Sequence, residues 1–151
     1  MKVTFRSILA VALAFVVALF ISVAPASAAK SKKPQTYTSD RLADIQTYAA
    51  DIEAMRQRLP ELQTLIQTED WIFTRNFLHG PLGELRIKML YLSRNLAPDV
   101  QSQANQLAKA VGTGISSIDQ AAQALDYRGA VRSYAETVRD LDSFMNLVPR
   151  G

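Results

Sequence analysis

The residues that could do chemistry are few. The stretch WIFTRNFLHGPLGELRIKML (71–90) holds the only tryptophan, Trp71, and the only histidine, His79, just before a Gly80-Pro81-Leu82-Gly83 step. A lone histidine can hold a divalent metal ion only with acidic partners from neighbouring helices. The nearest carboxylate in sequence, Glu84, lies across the Gly-Pro step. His79 is thus the candidate metal ligand, with local hydrogen bonding as the plainer reading. Glu69 and Asp70 are adjacent carboxylates, but at a helix start they suit capping and the macrodipole. Asp140 and Asp142 lie two apart and point to different helical faces. The chain has no H-E-x-x-H, no Glu-x-x-His pair of the kind used by di-iron bundles, and no G-x-S-x-G elbow. Cysteine is absent, which removes thiol catalysis and thiolate ligation. These residues point to no catalytic centre and no tightly bound cofactor.

Charged surfaces are the other source of function. Arg75, Arg86, Lys88 and Arg94 give one helical stretch a basic complexion, and Arg128, Arg132 and Arg139 do the same for another. They are candidates for electrostatic docking on a larger assembly, together with Trp71 as an aromatic contact. The competing reading is solubility with pairing along the helix, as between Arg132 and Glu136.

The elements that position these groups read as helices. Leu42, Ile45, Ala49, Ile52, Met55, Leu59, Leu62 and Ile66 recur at steps of three or four, one helical face. Ser39 or Asp40 suits its start, and Pro60 predicts a kink with the stripe kept in phase. Thr68-Glu69-Asp70 opens a second segment, with Thr68 as the capping hydroxyl. Its stripe is Ile72, Phe73, Phe77, Leu78, Leu82, Leu85, Met89, Leu92 and Leu96, and Pro81 bends it without ending it. Pro98 opens a third segment, which carries Val100, Ala104, Leu107, Val111, Ile115, Ile118, Ala121 and Leu125. Gly112 and Gly114 weaken it by about 1 kcal/mol each unless they admit a neighbour closely. After a turn at DYRG, the last segment shows Val131, Tyr134, Val138, Leu141, Met145 and Val148. Short connections between four one-striped helices predict an all-α, up-down-up-down antiparallel four-helix bundle over 39–148.

Residues 1–28 have the regions of a signal peptide: Lys2 and Arg6, a long apolar run, and the Ala26-Ser27-Ala28 ending. Cleavage there is expected, with a retained membrane segment as the alternative. Residues 29–38 read as a flexible basic tail. The net charge of +3 falls to +1 once Lys2 and Arg6 leave, and from Pro34 onward 12 cations face 14 acids. The high pI therefore does not indicate a nucleic-acid-binding domain, and no nucleic-acid partner is expected.

The order of DWIFTRNFLHGPLGELRIKMLYLSRNL, SSIDQAAQALD and SYAETVRDLDSFM, with YAETV (134–138) and HGPLG (79–83) within them, resembles the PsbQ-like extrinsic subunits of photosystem II in their cyanobacterial form. The resemblance implies a non-catalytic protein of the thylakoid lumen, peripheral on the lumenal side of the thylakoid membrane. Its implied partners are the photosystem II core and other extrinsic lumenal subunits. Its implied role is to stabilise the oxygen-evolving complex and its calcium and chloride requirement. Cyanobacterial members usually carry a lipid-bearing cysteine where this chain reads APASAAKSKK, so attachment here would rest on protein contacts, the basic tail or an uncleaved signal. The alternative function is an exported helical bundle that binds a metal ion or small ligand.

Overall fold

A computed structural model describes residues 37–150. The expected signal peptide and most of the basic tail lie outside the described residues. Within them the chain is all-helical: α1 (Ser39–Arg56), α2 (Leu59–Gln67), α3 (Trp71–His79), α4 (Leu85–Asn95), α5 (Pro98–Gln123) and α6 (Tyr127–Met145).

The first two segments share one apolar stripe. Ile45, Ala49 and Ile52 of α1 and Leu59, Leu62 and Ile66 of α2 are all buried. The expected kink at Pro60 is instead a restart. Pro60 has no N–H to offer the Arg56 carbonyl, so the ladder stops at Arg56 and resumes with Pro60 in the first turn of α2. Gln57 and Arg58 between them keep helical dihedrals, which holds the stripe in phase. Tyr37 and Thr38, at the end of the expected tail, engage the fold. The Tyr37 hydroxyl accepts from the Ala97 amide at 3.0 Å, and Thr38, rather than Ser39 or Asp40, supplies the N-cap oxygen of α1.

The bend expected at HGPLG is instead a break, which separates α3 from α4. Pro81 cannot donate to the Phe77 carbonyl, and the Leu82 amide donates to it instead at 3.2 Å, one residue further on. Leu82 and Leu85 then return to the core, as the stripe predicted. A Cβ at Gly83 would stand 2.5 Å from the His79 carbonyl oxygen, so this tight passage admits only glycine.

Core residues from every segment meet in one cluster, with Phe77, Leu78, Met89, Leu92, Val111, Ile118, Leu141 and Phe144 among them. Specific contacts fix the registers. Arg41, Tyr48 and Asp51 of α1 meet Asn95, Tyr91 and Lys88 of α4, so sequence numbers fall on one side as they rise on the other. The Tyr134 hydroxyl donates to the Leu59 carbonyl at 3.1 Å, and Arg56 pairs with Asp142 at 2.7 Å, joining α6 to α2 and α1. Gly114 answers the question raised by its place in a helix: the Thr137 side chain packs so closely that any Cβ would collide with its Oγ1. Gly112 accepts the Arg86 side chain in the same way, while at Gly114 the Thr137 Cα also stands 3.6 Å from where a Cβ would lie, so there a neighbouring backbone comes close.

Candidate functional site

His79 ends α3, and Gly80 caps that end. Its Nε2 lies 3.1 Å from Oδ1 of Asp119 on α5, and not against Glu84, which instead lies 3.8 Å from Lys88. Arg75, one turn earlier on α3, donates to the same Asp119 oxygen at 3.0 Å, and Gln123 donates to the other at 2.8 Å. Asp119 is mostly covered, while Arg75 and His79 remain largely exposed. Burial pushes the Asp119 carboxyl up, but the Arg75 and His79 hydrogen bonds with their charges outweigh it and hold it below the usual range. The group therefore acts as a latch between α3 and α5. Among the described residues, no three His, Asp or Glu side chains gather as a metal set would require. Asp119 gave no signal in the sequence, because 40 residues separate it from His79 and only the tertiary fold joins them.

The other sequence candidates are dispersed. Lys88 is drawn to Asp51 at 2.7 Å, and that hydrogen bond raises its pKa. Arg94 lies over the Tyr91 ring, with 5.6 Å to its centroid. Arg139 is 3.9 Å from Asp140. Arg86 covers Gly112 and makes no ion pair among the described residues. Arg128 and Arg132 are exposed and likewise make none there, so the expected Arg132–Glu136 pair is not formed. Trp71 is half-buried against the core at the start of α3.

Two turns share one construction. After α2 the Asp70 amide donates to the Leu65 carbonyl and the Glu69 amide to Ile66, while Glu69 takes φ 54°. After α5 the Asp126 amide donates to Ala121 and the Leu125 amide to Ala122, while Leu125 takes φ 57°. These are Schellman closures, a six-to-one and a five-to-two bond around a left-handed residue. Each is followed at once by an aspartate N-cap: Asp70 accepts from the Phe73 amide, and Asp126 from the Gly129 amide. Thr68 is therefore not the expected cap of α3. Its hydroxyl turns back to the Thr64 and Leu65 carbonyls. Around these turns lie large apolar side chains that the stripes assigned to the core but that stand in solvent: Ile72, Phe73, Leu125 and Val131, with Tyr127 beside them.

The fold thus supplies a small helical scaffold with an ionic latch and exposed turns, the equipment of a subunit that binds by its surface. Comparison with known proteins gives this class a family. The model for PsbQ, described as oxygen evolving enhancer protein 3, matches residues 3–149, and the chain belongs to that family of photosystem II subunits. It is 36% identical over 146 residues to CyanoQ of Synechocystis sp. (strain ATCC 27184 / PCC 6803 / Kazusa), covering 96% of each chain. Among the described residues, no helix is long and apolar enough to cross a membrane.

Proposed function

We propose that this chain is a non-catalytic extrinsic subunit of photosystem II, held on the lumenal side of the thylakoid membrane against the core and other extrinsic subunits. There it stabilises the oxygen-evolving complex and its calcium and chloride requirement. The observation that carries this reading is the family match along almost the whole chain. The six segments serve as four rods in up-down-up-down order, α1 with α2, α3 with α4, then α5 and α6. The opposed registers across α1–α4 and α5–α6 support that arrangement.

The test is to purify photosystem II from the source thylakoids and weigh this chain intact. Co-purification at a mass beginning near Ala29 is expected, with oxygen evolution that falls when the chain is removed under calcium- or chloride-poor conditions. Its absence from every photosystem II fraction, with abundance in soluble extract, would leave the fold and remove the function. A second reading is an exported bundle that holds a divalent ion at His79. It has the His79–Asp119 pair in its favour. It requires a saturable thermal shift with the ion, abolished by His79→Ala.

A further inference from the structure

Leu125 breaks a local rule without return inside the chain. The left-handed region is strained for any residue with a Cβ, and Leu125 adopts φ 57° while the residue is 66% exposed. Glycine or asparagine would close the turn more cheaply, so the isobutyl group is without a task in the free protein. Its surroundings are similar. Tyr127 and Val131 follow it on the first turns of α6, and Ile72 and Phe73 occupy the first turn of α3, just after the matching turn. Both turns lie at one end of the helices: Gln63, Ile66 and Gln67 line a shallow cleft with Tyr127 and Val131, while Trp71 and Ile72 line another with Ala122 and Gln123.

Charge at that end is mixed, with Arg128 and Arg132 beside Glu69, Asp70 and Asp126. Arg128 and Arg132 make no ion pair among the described residues, and the two neighbouring aspartates, Asp70 and Asp126, are turned onto backbone amides. Glu69 in one turn and Asp126 in the other are both exposed carboxylates there. Exposed carboxylates oppose contact with an anionic lipid surface, whereas a protein surface can answer each charge separately.

We propose that the end formed by the turns at 68–70 and 124–126 is the docking end. Its partner is a protein surface with carboxylates beside an apolar recess that receives Leu125. This rests on the photosystem II reading, which supplies the assembly that carries the surface. The test is rebinding of the full chain to photosystem II membranes stripped of their extrinsic subunits, read by pelleting across a concentration series. Leu125→Gly should melt higher than the parent yet bind about tenfold more weakly, the pattern of a lost anchor and not of a damaged fold. The double variant Arg128→Glu, Arg132→Glu should bind about tenfold more weakly and lose most of the salt dependence. Arg150→Glu, a charge reversal at the C-terminal end of the described chain, should bind as the parent does.

If the parent binds and both turn-end variants bind equally well, the docking end is elsewhere and the photosystem II reading stands. If the parent does not bind the stripped membranes, that reading fails and this proposal goes with it. Equal, Leu125-dependent binding to protein-free phosphatidylglycerol–phosphatidylcholine vesicles would replace the protein partner with a lipid surface.

Discussion

The chain reverses direction at both ends of its helices, and the two ends do so by different chemistry. Between α4 and α5 the carbonyls left over at the end of α4 are satisfied by side chains. Arg41 donates to the Asn95 and Leu96 carbonyls at 2.7 and 2.8 Å, and Gln101 donates to those of Arg94 and Leu96. Tyr37 meets the Ala97 amide, and Leu96 is fully buried. At the other end the turns after α2 and α5 close through their own backbone, and only one aspartate oxygen is spent on each following helix. An end closed by side chains has used them up. An end closed by backbone leaves its side chains for something else.

The largest effect that can break this contrast comes from the two leucines of the opposed turns. Leu96→Ala should cost about 2–5 kcal/mol, whereas Leu125→Ala should fall within about 0.5 kcal/mol of the parent. Equal costs in denaturant titration would sink the contrast. Arg41→Ala comes next, at about 2 kcal/mol, because it deprives two part-buried carbonyls of a charged donor. Asp126→Ala and Asp70→Ala should each cost about 1 kcal/mol as lost N-caps. Leu125→Gly should change stability by about 1 kcal/mol in the opposite direction. A cap variant as stable as the parent would show that the backbone bonds alone close these turns.

The smallest effect concerns pH. The Asp119 carboxyl is held below its usual range by Arg75 and His79 against the opposing push of burial. A carboxyl depressed in the folded state stabilises above the unfolded pKa of about 3.9. That contribution disappears as pH falls through the lower folded value. Since Arg75 and His79 are largely exposed, solvent screening keeps the gain small. Thermal melts of Asp119→Asn should lie slightly below the parent at neutral pH and converge with it in acid. Constant separation at every pH would assign the aspartate a packing role instead.

Much of the fold was legible from spacing. The stripe through Ile45, Ile52, Leu62 and Ile66 is buried as its period predicts, and it survives Pro60 because Gln57 and Arg58 keep helical dihedrals. The errors gather at the turns. Ile72, Phe73, Leu125 and Val131 fit an apolar period, yet period reports which face a residue shares and not whether a neighbour reaches that far along the helix. The Schellman closures also left no mark, because their left-handed positions hold Glu69 and Leu125 where glycine would have signalled them. The latch was half legible: His79 drew notice as a lone histidine, but its partner depends on how α5 lies against α3. Family membership was the most readable feature, since it rests on the order of motifs along the chain and not on any one contact.

The position of Trp71 has a practical consequence. It is the only indole in the chain, and it follows Asp70 directly at the turn proposed to dock. Half-buried against the core, it lines the cleft beside Ala122 and Gln123. Excited beyond the absorption of its five tyrosines, the chain's tryptophan emission is therefore a single-site signal from that end, needing no label or added mutation. A shift in its emission wavelength during titration would distinguish an event at these turns from one at the opposite end of the helices.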